Sequence, residues 1–351
     1  MPLKKLIKPV ALQAGDRIAT VSLSWGGPHS FPHRYEAGKK QLEDSFGVSV
    51  VEMPHTLKSA DWIYKNPQAR VDDLMMAFSD PDIKGIFSTI GGDDSIRMLP
   101  YINYDIIRQN PKIFLGYSDT TISHFACLKA GLRSYYGPTI MAGFGENGGL
   151  FPYMERSIQK TLFSNEPIGE IHANSNGWTD TPLSWKDPQN QNKKRPLTPP
   201  LGPQFLQGSG ISQGRLIGGC AEVLEFMKGT PLWPELNTWD NAILFLETSE
   251  DQPPVEFFIY WLRNYAAMGI LERLKGLILG RPGGHIEKNK IQCYDHALLK
   301  VIRDEYGLTN LPIITQMDFG HTDPMFTLPF GALAEIDCDQ KRFSILESGA
   351  S

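Results

Sequence analysis

The chain has 351 residues, 41% of them hydrophobic and 21% charged, with a formal net charge of -5. That length exceeds a usual single core and predicts two domains, with one very large α/β domain as the alternative. The composition excludes wholesale disorder, and the acidic balance excludes a nucleic-acid polymer as partner, because phosphate binding needs a clustered excess of Lys and Arg.

The N-terminus, Met1 to Pro9, carries the charges of a signal peptide without the apolar run or small-residue cleavage pattern that should follow them. No later stretch reaches the roughly 20 apolar residues of a membrane span. The expectation is a cytoplasmic protein with no membrane association. Its four scattered cysteines, Cys127, Cys220, Cys293 and Cys338, form no C-x-x-C pair and fit reduced thiols.

In chain order, Arg17 to Ser22 reads as a strand and Arg34 to Ser45 as a polar helix. Val48 to Glu52 follows as a strand, Ala69 to Phe78 as an amphipathic helix, and Gly85 to Thr89 and Lys112 to Leu115 as strands, each closed by Gly, Pro or Asp. This alternation predicts a parallel sheet with helices on both faces. From Glu170 to Gly214 the chain turns to Asn, Pro, Gln, Lys and Gly, which places the domain junction there. So long a stretch is a linker or a functional loop, and Trp178 and Trp185 favour function. A second α/β unit follows: strand 215–217, helix 221–228, strand 242–246, helix 255–268, strand 277–280, helix 294–305, strand 312–315, and a hairpin of 332–337 with 342–346. The expected division is residues 1–170 as a nucleophile-bearing domain, 171–214 as linker and substrate loop, and 215–351 as a C-terminal domain.

The segment Lys112 to Thr121 joins a short apolar strand to Gly116-Tyr117-Ser118-Asp119 and then to a helix start. Such a turn lifts a hydroxyl off the sheet edge and aims the next N–H groups at the same space. G-x-S-x-G is met only in part, with Thr120 in place of the second Gly, and Ser118 or Asp119 could equally cap the helix. A serine nucleophile needs a base, itself oriented by an acceptor. Of eight histidines, His321 stands out, in a loop directly after strand 312–315. His124, within the helix that follows Ser118, reads as packing against the sheet. Glu247 is the first polar residue after the apolar strand 242–246, so it too lies at a strand's carboxyl end. The loop Ser88 to Ser95 brings Gly91 and Gly92 to the same edge, where they allow close approach to a substrate and a second oxyanion N–H. A bare tight turn is the alternative. Asp93 and Asp94 are adjacent and diverge in most backbones, which argues against a paired-carboxylate or metal site.

Gly143 to Gly148 matches G-x-G-x-x-G by letter but lacks a strand leading in and a helix leading out. Cys293 and His296 supply two ligands and no second pair. The sequence therefore calls for no metal and no cofactor.

Taken together, Asn66-Pro67, Ala69 to Leu74, Ala77 to Pro81, Gly91-Gly92, Gly116 to Asp119, Gly218-Gly219, Leu246-Glu247 and Gly320-His321 resemble the LD-carboxypeptidase family of serine peptidases over nearly the whole chain. The resemblance implies Ser118 as nucleophile, His321 as general base and then acid, Glu247 as its orienting partner, and Gly92 and Asp119 N–H groups as the oxyanion hole. It also implies a flavodoxin-like N-terminal domain joined to a smaller C-terminal α/β domain, and a homodimer. Murein-recycling members carry Arg before the paired glycines and Tyr-Gly after them. This chain has Ile90-Gly91-Gly92-Asp93-Asp94, which is similar to the microcin C self-immunity branch. In that branch a loop tryptophan stacks on the nucleobase of an aminoacyl nucleotide, a role that falls to Trp185 first and Trp178 second, with Gly91 and Asp93 also facing substrate. The expected activity is hydrolysis of an amide bond near a free carboxylate, in peptidyl or aminoacyl nucleotides. Murein tetrapeptide cleavage is the alternative within the class, and a nonenzymatic nucleotide-binding protein is the alternative outside it.

Overall fold

The computed structural model describes residues 6–284, 286 and 288–351. Its strands, in chain order, are β1 (Arg17–Val21), β2 (Ser49–Glu52), β3 (Ile83–Ser88), β4 (Ile113–Gly116), β5 (Tyr135–Tyr136), β6 (Pro167–Glu170), β7 (Gln204–Gln207), β8 (Ile211–Cys220), β9 (Ala242–Glu247), β10 (Gly276–Gly280), β11 (Ile313–Met317), β12 (Leu328–Pro329), β13 (Leu333–Asp337) and β14 (Arg342–Ser348). The central ones read as unbroken apolar runs because both faces of a parallel sheet are covered. Every residue of β4 and of β9 is buried, and in β9 the last of them is a carboxylate.

The first sheet has the order β12-β5-β4-β3-β1-β2. Its parallel part, 2-1-3-4-5, is the flavodoxin-like order, with the winding reversed between β1 and β3. In such sheets the crevice outside the carboxyl ends, at the reversal, is where ligands bind. The second sheet, β6-β14-β13-β8-β9-β10-β11-β7, has a parallel centre of β8 to β11 flanked by antiparallel strands.

The two sheets exchange chain. β12, from the C-terminal part, pairs antiparallel with β5, while β6 pairs with β14 in the second sheet. Phe330, just after β12, packs on Phe125 at 5.6 Å and on Phe245 of β9 at 5.2 Å, so one apolar core runs between the lobes. That core fixes the carboxyl ends of β4 and β9 against each other. The short strands β5, β6, β7 and β12 and the helix Pro152–Leu162 are additions to the sequence-based reading. The helix expected over 294–305 is an α-helix Lys288–Leu298 that widens into a π-helix Leu299–Glu305. Among the described residues no helix is long and apolar enough to cross a membrane.

Candidate active site

β4 ends at Gly116, and after one extended residue the chain enters a tight turn in which Ser118 has φ 62°, in the left-handed region. A serine held there costs on the order of 1–3 kcal/mol, so the surroundings must impose it. Two hydrogen bonds do. The Ser118 N–H donates to the Tyr136 hydroxyl at 3.1 Å, and the Ser118 carbonyl accepts from Thr121 Oγ1 at 2.7 Å. The turn then becomes the helix Thr121–Ala130, closed by Gly131.

Glu247 ends β9 and is fully buried. His321 follows β11, two strands away in the same sheet. The loop carrying His321 lies directly on Glu247, and this requires Gly320: its φ is 96°, and a Cβ there would stand 2.6 Å from Glu247 Cβ. His321 Nδ1 is 2.6 Å from Glu247 Oε2, and His321 Nε2 is 3.1 Å from Ser118 Oγ. The remaining carboxylate oxygen, Glu247 Oε1, accepts from the Tyr136 hydroxyl at 2.5 Å. In its neutral form, with the Nδ1 proton held by Glu247, the imidazole presents the Nε2 lone pair to the serine hydroxyl. That is the arrangement of nucleophile, base and orienting acid.

Burial opposes a charge on His321, but the carboxylates of Glu247, Glu250 and Glu222 outweigh it and raise the imidazole to about 9. Glu250 contributes by direct contact, its Oε2 standing 3.1 Å from Nε2. By contrast His124 is fully buried, bonded to Ser134 Oγ and the Gly116 carbonyl, and burial lowers it to about 4. His124 packs against the sheet, with Phe114 of β4 5.4 Å away. His285 lies outside the described residues.

The glycine loop after β3 reaches the same point. Gly91 is buried so close to the turn that a Cβ on it would stand 2.9 Å from Ser118 Oγ, while Gly92 and Asp93 are exposed. Asp119 stitches loop to turn: its carboxylate accepts the Ser95 N–H at 2.8 Å and its carbonyl accepts from Ser95 Oγ at 2.8 Å. Asp94 turns away to Arg70 and Arg97, at 2.5 and 2.9 Å, so Asp93 and Asp94 make no pair.

The segment expected as linker or loop crosses this region and is tied on both sides. Arg195 pairs with Glu146 and, at 2.6 Å, with Asp323, two residues beyond His321. Gln191 donates to the Gly145 carbonyl at 2.9 Å. Trp185 is half-buried, its ring edge-on to Phe31 at 5.8 Å and covered on one side by the Arg34 guanidinium at 4.8 Å. Trp178 is only 4% exposed, with Arg281 over its ring at 4.5 Å. Of the two tryptophans, Trp185 alone keeps ring surface for a ligand.

The sequence of residues 18–137 matches the LD-carboxypeptidase N-terminal domain, and that of residues 213–336 the LD-carboxypeptidase C-terminal domain. The chain belongs to the LD-carboxypeptidase family. As a member it is an enzyme of the serine carboxypeptidase type. Among relatives, the microcin C7 self-immunity protein MccF of Escherichia coli is 31% identical over 344 residues, covering 96% of this chain and 94% of that protein. An MccF-like protein from Streptococcus pneumoniae, solved in complex with AMP, superposes with a TM-score of 0.85 at 32% identity, over 94% of this chain and 98% of the other. MccF in complex with aspartyl sulfamoyl adenosine superposes with a TM-score of 0.85 at 30% identity, over 98% of this chain and 100% of the other.

Within this LD-carboxypeptidase chain, three groups at the site carry no local sequence signal. Tyr136 lies in a two-residue strand, Glu250 in a run of acidic loop residues, and Arg195 in the polar segment. Their place at the site comes from pairings more than a hundred residues apart for Tyr136 and Arg195. Nothing short of the folded chain reveals them.

Proposed function

We propose that the protein is a serine peptidase in which Ser118, His321 and Glu247 act as a triad on aminoacyl or peptidyl nucleotides, giving self-immunity or detoxification. Ser118 Oγ attacks the carbonyl carbon while His321 Nε2 takes its proton, and Glu247 stabilises the imidazolium that results. The N–H groups of Gly92 and Asp119 receive the developing oxyanion. Collapse of the tetrahedral intermediate leaves an acyl-Ser118, with His321 handing its proton to the leaving amine. Water, deprotonated by the same nitrogen, then releases the acid.

The observation that carries this reading is the unbroken hydrogen-bonded chain from Glu247 through His321 to Ser118, assembled from two sheets. The substrate class is supported by the half-buried Trp185, whose partly exposed ring suits a stacked base, and by the nucleotide-like ligands held by similar proteins. The proposal includes action in the cytoplasm and a homodimer, to which the exposed Phe257 and Tyr260, 6.3 Å apart, offer a surface.

Incubation with aspartyl sulfamoyl adenosine and, separately, with a murein tetrapeptide tests the substrate class. Release of the sulfamoyl nucleoside, lost by a thousandfold or more in Ser118→Ala, is the expected result. Release of terminal D-Ala alone would transfer the function to cell-wall recycling. Sedimentation of the same preparation reads the homodimer.

A further inference from the structure

Tyr136 belongs to no motif, yet its hydroxyl touches both halves of the proposed machinery. β5 lies between β4 and β12, with Tyr136 level with Gly116 on one side and Leu328 on the other. Its neighbour Tyr135 points to the opposite face of the strand, where its hydroxyl donates to the Gly349 carbonyl at 3.0 Å. Tyr136 points to the site and is 1% exposed. Its ring is wedged among Tyr117, His124 and Phe245, at 6.4, 5.5 and 5.5 Å between centroids.

The directions of its two hydrogen bonds are fixed by chemistry. A backbone N–H can only donate, so the hydroxyl oxygen accepts from Ser118 at 3.1 Å. The hydroxyl proton must then go to the carboxylate oxygen of Glu247, at 2.5 Å. One phenol thereby satisfies the N–H that the strained turn of Ser118 would leave orphaned, and the carboxylate oxygen that His321 does not use. Glu247 is fully buried and Ser118 half-buried, so for either the loss of a partner is expensive.

We infer that Tyr136 is a positioning residue, which ties the nucleophile turn of the first sheet to the orienting acid of the second and restrains how strongly Glu247 draws on His321. This rests on the triad reading above. A donor on Glu247 stabilises its charge and so weakens its hold on the proton at His321 Nδ1. Removing that donor leaves more of the negative charge to the imidazole. The other groups facing His321 or Glu247 are Glu250 from the loop after β9, Glu222 and Cys220 from the end of β8 and the helix Ala221–Met227, and Tyr117 at the end of β4. None of these bonds to both Ser118 and Glu247, as Tyr136 does.

The test is the pH dependence of Ser118 modification by a fluorophosphonate, which needs no knowledge of the substrate. The intact protein, Tyr136→Phe, and a protein with difluorotyrosine placed at position 136 are compared, the last keeping the shape of tyrosine with a stronger donor. In Y136F the limb on the acid side moves to higher pH and the plateau rate falls about tenfold, roughly what one hydrogen bond to a charged group is worth. In the difluorotyrosine protein the limb moves to lower pH. A limb that stays in place in the fluorinated protein overturns the inference, whether or not Y136F folds. Intact protein that is not modified at Ser118 overturns the triad reading, and this inference with it.

Discussion

His321 Nε2 faces two acceptors at the same distance, Ser118 Oγ and Glu250 Oε2, each at 3.1 Å. The second favours the imidazolium, in which Nε2 donates, over the neutral ring, in which Nε2 accepts from Ser118. With the imidazole raised to about 9 by its carboxylate neighbours despite burial, the charged ring is favoured over the neutral base at pH 7. Only the neutral ring can take the serine proton. Activity of the free enzyme should therefore climb with pH toward about 9, and Glu250→Gln, which removes one raising charge, should move that limb to lower pH. The pH profile of kcat/KM in both proteins checks this. An unmoved limb, or one displaced upward, would remove Glu250 from the account. Ser118 itself was legible because a glycine, a serine and a helix start stood in sequence after an apolar strand. Its motif was incomplete because Thr120 holds the place of a glycine, and the structure supplies the reason: Thr120 packs on Gly116, where a Cβ would stand 2.7 Å from Thr120 Cγ2. The small residue is needed on one side of that contact only. Glu250 stays largely exposed, and its contact with His321 was not legible, since nothing in a run of acidic residues says which one reaches the imidazole.

At the level of strands and loops, the site is assembled from carboxyl ends: β3 delivers Gly91 and Gly92, β4 delivers Ser118, β9 delivers Glu247 and β11 delivers His321. The long parallel strands were evident from their apolar runs. β5 and β12, of two residues each, could not be, because their pairing is set by the sheet they join and not by their own composition. The loop after β11 is tightly constrained at Gly320. Gly320→Ala places a methyl group against Glu247 and a side chain at φ 96°, whereas Gly307→Ala at φ 68° meets nothing within 4 Å. Both should lose about 1–2 kcal/mol of stability from the left-handed conformation. Only Gly320→Ala should also lower kcat, by about tenfold or more, because it displaces the orienting carboxylate. Denaturation midpoints and turnover of the pair separate the two effects. Full activity in Gly320→Ala would show that the contact with Glu247 does not govern the site.

Across the whole molecule, Ser118 and the His321–Glu247 pair proposed to activate it belong to different sheets, and a shared core of Phe125, Phe245 and Phe330 holds them in register. The segment between β6 and β7 then bridges the lobes, with Arg195 on Glu146 of one side and Asp323 of the other. Its polar composition suggests a junction in the sequence. It could not disclose the bridging, which depends on partners 49 and 128 residues away. Residues so joined should fail together. The most direct test is kcat/KM for Ser118→Ala, His321→Ala and the double variant. A working triad predicts that each single change costs on the order of a thousandfold or more and that the double variant is no worse than the poorer single. Small losses that multiply in the double variant would contradict the triad.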